Sequence, residues 1–240
     1  MRLNRYLASA GVTSRRKADV IIREGHVVIN GEPATEPWLD VDPDRDRVEV
    51  DGKRIEPLRD RLYLLMHKPT GVITTVSDPQ GRPTVLSLLG DAWPDRRLSP
   101  VGRLDADTSG ALLLSDDGEL AYRLTHPSFE SLKVYQVRCG ETVEGASLTR
   151  LEAGLELEDG PAPVDTVRRI DPYTVEVGLH IGRKRIVRRM FAALGYSVAA
   201  LHRSGFAGLS ADDIEPGSWR ELTSNEVEEL QRGVGIDPDD

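Results

Sequence analysis

The chain holds 240 residues, with 31 Lys and Arg against 40 Asp and Glu, a formal net charge of −9, 39% apolar residues and one cysteine. That length allows one large or two unequal domains with a substantial core, and the lone Cys139 excludes an intrachain disulfide or a thiolate-rich metal site. No apolar run approaches the roughly 18 residues of a membrane span, and Asn4, Arg5 and Tyr6 interrupt any signal-type core at the start, so a cytoplasmic protein is expected.

In chain order, Leu3, Leu7 and Ala10 recur at helical spacing and Gly11 stands where a helix ends. Ser14 is a candidate N-cap for a second helix with Ala18, Ile21 and Ile22 inward, stopped by Gly25. Its first turn holds Arg15, Arg16 and Lys17, which with Arg5 make a small basic face. A strand at 26–29 meets the tight-turn pair Asn30-Gly31, and a second hairpin is expected across Asp51-Gly52. Residues 36–60 are acidic and loop-like, which puts the domain boundary near residue 60.

Beyond it, strands are expected at 62–66, 72–76, 111–115, 133–139, 164–170 and 173–180, with helices near 84–89, 117–125, 145–153, 184–194 and 223–232. The order lacks regular strand-helix alternation, so the expected class is α+β: a small N-terminal domain over 1–60, a larger domain with a mixed sheet over 61–233, and a disordered tail over 234–240. Net charge alone argues against a polyanionic partner. Its order argues the reverse: residues 1–30 carry +4, residues 182–211 hold six cations and no acid, and the last 30 residues hold −8.

Chemistry concentrates in Gly102-Arg103-Leu104-Asp105-Ala106-Asp107-Thr108-Ser109-Gly110, a glycine-bracketed loop that feeds the apolar run Ala111-Leu112-Leu113-Leu114. A carboxylate fixed there suits a nucleophile, a general base or a metal ligand, and equally an Asx-turn. Lys133 and Tyr135 share one face of a strand, where the tyrosine fits either stacking on a base or plain half-burial. In 182–191, Ile186, Val187, Met190 and Phe191 fall on one helical face, leaving Arg183, Lys184, Arg185, Arg188 and Arg189 to solvent or to a neighbouring site.

These motifs, with Asp117-Gly118-Glu119-Leu120 and His126-Pro127 between them, resemble the ribosomal RNA pseudouridine synthases of the RsuA/RluB type. The N-terminal pattern is similar to the small alpha-L RNA-binding domain of that family, and the resemblance spans nearly the whole chain. It implies a mainly antiparallel catalytic sheet and isomerisation of uridine in structured ribosomal RNA, large-subunit RNA before small-subunit RNA. A positioned carboxylate suffices for that isomerisation, so no cofactor or metal is expected, and the protein is expected to be a monomer. By position, Asp105 matches the catalytic aspartate, Tyr135 the tyrosine packed on the flipped uracil and Arg188 the basic residue that pairs with the aspartate; Arg103 and Lys133 join the substrate site. Arg5, Arg15, Arg16, Lys17, Arg183, Lys184 and Arg185 are the expected RNA contacts. The chain departs from the family at His67, where asparagine is usual, at Ile186 in place of glutamine, and at Ile181 in place of an acid. Two other readings stay open: an aspartate-nucleophile phosphotransferase, from the Asp-x-Asp-x-Thr form of 105–108, and a non-catalytic RNA-binding assembly factor.

Overall fold

Leu3, Tyr6, Leu7, Ala18, Ile22 and Val27 are all fully or almost fully buried, and this apolar stripe explains how the first residues fold. The structure is a computed structural model that describes residues 1–58, 60–94 and 96–237. Its chain forms two compact units, one of Met1–Leu62 with Pro94–Arg97 and Asp116–Gly118, the other of the remainder.

In the first unit, α1 (Leu3–Ser9) and α2 (Arg15–Arg23) pack over a four-stranded antiparallel sheet of β1 (Val27–Ile29), β2 (Glu32–Ala34), β3 (Val48–Val50) and β4 (Lys53–Ile55), ordered β2-β1-β3-β4. The Ser14 hydroxyl accepts from the Lys17 N–H at 3.3 Å and caps α2. Asn30 and Gly31, at φ 52° and 88°, form the turn that pairs β1 with β2.

The second unit begins with β5 (Tyr63–Lys68), β6 (Ser99–Pro100), β7 (Thr108–Ser115) and α3 (Gly118–Thr125). It continues with β8 (Lys133–Cys139), α4 (Gly145–Glu152), β9 (Leu155–Leu157), β10 (Gly160–Ala162), β11 (Thr166–Asp171) and β12 (Thr174–Leu179). Then follow α5 (Ile186–Ala193), β13 (Val198–Phe206), β14 (Leu209–Ser210), β15 (Trp219–Glu221) and α6 (Ser224–Gly233). The main sheet runs β11-β12-β8-β13-β7-β5-β15, with β14 on β13 and β6 on β7; β13 and β7 are parallel and the other pairs antiparallel. The class is therefore α+β with a mixed sheet. Gly110 is required at the parallel pair: its φ is +113°, and a Cβ there would lie 2.1 Å from the Arg203 carbonyl oxygen.

Two expected elements differ. Residues 72–76 form a loop, because the Thr74 hydroxyl is bonded to the Leu104 backbone and Ile73 makes only an isolated bridge to Thr84. The helix expected over 84–89 shrinks to a 3-10 turn at Ser87–Leu89, where Thr84 and Ser87 satisfy each other's backbone N–H groups through their hydroxyls. At the C-terminus, Val234 is buried and Ile236 packs on the core of Leu120, Leu124 and Leu230, while Arg123 donates to the Val234 and Gly235 carbonyls. A disordered tail is expected from residue 234, but the apolar side chains of Val234 and Ile236 anchor that stretch; 238–240 lie outside the described residues.

Candidate active site

The loop entering β7 carries two carboxylates, and its backbone is tied down at several points. Thr74 Oγ1 donates to the Leu104 carbonyl at 2.7 Å and accepts from the Leu104 N–H at 3.2 Å. The Gly71 N–H donates to the Ala106 carbonyl at 2.7 Å, and the Thr108 N–H to that of Asp105 at 3.0 Å. Beneath it the Lys68 side chain is wholly buried and donates to the carbonyls of Thr108 and Pro69 at 2.8 and 2.9 Å. Burial pulls the Lys68 pKa down to about 8, against the upward pull of the Asp105 and Asp107 charges. Asp105 itself reaches solvent on a cleft of about 550 Å³, whose other walls include Lys133, Tyr135, Lys184 and Arg203. Such fixed placement of a carboxylate suits nucleophilic or general-base work.

The cations of 183–189 mostly hold the site together. Arg185 sits in the left-handed region, φ 50° and ψ 32°, a position that favours glycine. From there its guanidinium grips the Asp107 carboxylate at 3.1 and 3.3 Å and stands 3.7 Å from Asp105 Oδ2. Arg188 corrects one expectation. It pairs with Asp107 rather than Asp105, donating to the Asp107 carbonyl at 2.9 Å, lying 3.2 Å from its Oδ2, and donating also to the Val198 carbonyl at 3.2 Å. The physical reason is the turn at 105–108, which points the carbonyl and carboxylate of Asp107 back at α5 while Asp105 faces the cleft. Burial raises the Asp107 pKa, but the Arg185 hydrogen bonds and the charges of Arg188 and Arg185 outweigh it and keep the carboxyl below its usual range.

Arg183 is bound to the Asp159, Gly160 and Pro161 carbonyls and the Asp159 carboxylate, and Arg189 pairs with the same carboxylate at 2.7 Å. These two residues anchor the β9-β10 hairpin, so Arg183, expected on RNA, has its guanidinium engaged by protein groups. Arg103 and Lys184 are exposed on the cleft. Ile186, Val187, Met190 and Phe191 are buried, as their spacing predicts. Lys133 donates to the Ser131 and His180 carbonyls at 2.6 and 3.0 Å, and burial lowers its pKa. Tyr135 lies half-buried opposite Arg203 in the β8-β13 register. His67 turns from the cleft: its Nδ1 is 2.7 Å from the Ile214 carbonyl and its ring packs edge-on against His202. In the other unit, Arg5, Arg15, Arg16 and Lys17 are exposed.

Sequence reading missed Lys68 and Arg203. Lys68 ends an apolar strand run in which a buried lysine gives no distinct pattern. Arg203 sits in β13, a strand the sequence pattern did not disclose. Among the described residues no three His, Cys, Asp or Glu side chains are placed to hold a metal ion, and no helix is long and apolar enough to cross a membrane.

The class defined by these features is an α+β protein with a carboxylate-bearing cleft on a mixed sheet. Its loop precedes β7 instead of ending a buried strand, the opposite of the phosphotransferase arrangement. The profile of a family described as RNA pseudouridylate synthase matches residues 62–193, and that of the S4 domain matches residues 1–46. The chain belongs to the RNA pseudouridylate synthase family. It is 40% identical to an "Uncharacterized RNA pseudouridine synthase" of Aquifex aeolicus, covering 98% of this chain and 96% of that one. It is 39% identical to the "Ribosomal large subunit pseudouridine synthase B" of Bacillus subtilis, covering 96% and 95%. A solved structure described as "Crystal structure of pseudouridylate synthase" superposes with a TM-score of 0.69 at 30% identity, covering 96% of this chain and 99% of that one.

Proposed function

We propose that this protein isomerises a uridine of large-subunit ribosomal RNA to pseudouridine, acting in the cytoplasm as a monomer and with Asp105 as the catalytic group. The observation that carries the reading is the placement of Asp105: the Leu104 backbone before it is held by Thr74, its carboxylate is on the cleft, and Arg185 stands 3.7 Å away. The reaction breaks the C1′–N1 bond, retains and turns the base, and forms a C1′–C5 bond, with no net redox change. A positioned carboxylate can serve as nucleophile or base in such glycosyl chemistry.

A uridine within folded RNA must leave its stack to reach Asp105. Tyr135 offers the base a ring face, and Arg103 and Lys184 offer the backbone positive charge at the mouth. The S4 unit supplies further cations through Arg15, Arg16 and Lys17. The relatives named for large-subunit ribosomal RNA support that substrate.

The test is pseudouridine mapping across ribosomal RNA from cells with the protein, without it, and with Asp105→Asn. One large-subunit uridine is expected to lose its modification in the last two. Retained modification in both would refute the reading, and a lost site in small-subunit RNA would reassign the substrate.

A further inference from the structure

Three cations borne by strands of the main sheet lie under or beside the cleft, and two of them are satisfied by carbonyl pairs: Lys68 by Pro69 and Thr108, Lys133 by Ser131 and His180. Arg203 is different. It is 2% exposed, its Nε donates to the Ala111 carbonyl at 2.8 Å, and its guanidinium lies 4.7 Å from the centroid of the Phe206 ring. Its Nη2 is buried and has no hydrogen-bond partner, and among the described residues no carboxylate stands within 4.0 Å of it. The Asp105 and Asp107 carboxylates are engaged by Arg185 and Arg188, and the Tyr135 side chain, opposite in the β8-β13 register, is the neighbour that favours the charged form of Arg203. Burying a guanidinium without a counter-charge is unfavourable, and an unused buried donor compounds the cost. Yet this one lines the cleft together with Tyr135 and Lys133.

The reaction puts negative charge within reach of such a donor. If the base departs first, the bonding pair of C1′–N1 stays on the pyrimidine; if a carboxylate first adds at C6, the pair of the C5–C6 double bond does. Either way the pair is delocalised onto ring carbonyl oxygens. It is returned when C1′–C5 forms, the C5 proton leaves and N1 gains a proton; in the second route the carboxylate also leaves C6 as the C5–C6 double bond is restored. A donor held beforehand in a water-poor site stabilises charge of that kind strongly.

We propose that Arg203 is a catalytic residue whose free Nη2 donates to a carbonyl oxygen of the flipped uracil and stabilises the charge it gains while the ring carries the extra pair. This rests on the pseudouridine synthase reading above.

Single-turnover conversion and RNA affinity are measured for wild type, Arg203→Gln and Arg203→Lys on the ribosomal RNA fragment identified by mapping. Arg203→Gln, which keeps a donor for Ala111, is expected to lose about 10²- to 10³-fold in the chemical step with RNA affinity within threefold of wild type. Wild-type turnover in the folded Gln variant would overturn the proposal. If that variant does not fold, Arg203→Lys decides, because one ammonium cannot serve both Ala111 and the base: roughly tenfold slower turnover is expected, and an unchanged rate overturns it. A second readout separates catalysis from architecture. RNA with 6-azauridine at the target, whose ring ionises more readily than uridine, is expected to gain about tenfold in affinity for wild type, relative to uridine RNA, as pH rises through that ionisation. The gain is expected to vanish in Arg203→Gln; an equal gain in both proteins counts against the role of Arg203. Absence of pseudouridine with wild type itself would strike at the proposed function instead.

Discussion

Residues 15–17 and residues 183–189 are the two densest clusters of cations in the chain, and they are used in opposite ways. In α2, Arg15, Arg16 and Lys17 are exposed and make no side-chain hydrogen bond or ion pair among the described residues. They occupy a helix N-terminus, where the macrodipole disfavours positive charge, and no acid in the first turn offsets them. In the catalytic unit, Arg183 and Arg189 hold the β9-β10 hairpin while Arg185 and Arg188 hold Asp107. Charge density in the sequence is alike in the two places. The partners differ: all three cations of the first cluster keep their charge available for a polyanion, whereas in the second the four arginines are engaged by protein groups and Lys184 alone stands exposed on the cleft.

Three measurements bear on that contrast. The largest effect belongs to Asp105: Asp105→Asn is expected to lower pseudouridine formation about 10⁴-fold or more while leaving RNA affinity near wild type, read by single-turnover assay and filter binding. Next, Arg188→Gln removes the bonds to the Asp107 carboxylate and carbonyl, and loosening the loop by a fraction of an ångström is expected to slow turnover about 10²-fold. The slope of log affinity against log salt stays put, because this cation serves the protein; a flatter slope would place Arg188 on RNA and break the contrast. The third effect is smaller and of the other kind. Replacing Arg15, Arg16 and Lys17 together by Ala is expected to weaken RNA binding roughly tenfold and flatten the salt slope by about 2 to 3, with turnover on bound RNA unchanged. Thermal stability should hold or rise, since three charges unfavourable to the helix dipole are gone. An unchanged salt slope would remove the N-terminal unit from the RNA interface.

How much of this was legible depended on whether a residue's local pattern matched its surroundings. Ser14 with Ala18 and Ile22 marked α2, and Ala111 to Leu114 marked β7, because each buries apolar side chains at the period of its element. The Asp105 loop stood out by its bracketing glycines and the strand it feeds. By contrast β13 reads Val-Ala-Ala-Leu-His-Arg-Ser-Gly-Phe, without apolar alternation, since part of it lines the cleft and its pairing with β8 shifts register twice. Arg203 therefore reads as one more of the six cations of 182–211, although tertiary packing buries it. The pairing of Arg188 with Asp107 rather than Asp105 was likewise hidden, because neighbouring carboxylates on a turn are distinguished by backbone direction alone. Lys68 carries no sequence signal beyond its place after an apolar run, and its burial follows from the β7 backbone that crosses over it.

A control for these effects lies in the same catalytic unit, at an ion pair whose residues do not line the cleft. Glu226 completes a capping box with Thr223 at the start of α6 and accepts from both terminal nitrogens of Arg220 at 2.7 and 2.8 Å. The Arg220 hydrogen bonds chiefly, with those from Thr223, hold the Glu226 carboxyl at about 2 against its ordinary 4.5. A carboxyl whose folded pKa is depressed binds its proton more readily in the unfolded chain. Its stabilisation is therefore complete above the unfolded value and is lost as pH falls from about 4.5 toward 2. Glu226→Gln is expected to reduce stability at neutral pH by about 1 kcal/mol after allowance for solvent screening of a partly exposed pair. The deficit should shrink through that acid window, as followed by urea unfolding at several pH values. Turnover and salt slope should match wild type. A deficit independent of pH would mean that packing, and not the charge on Glu226, secures the helix start.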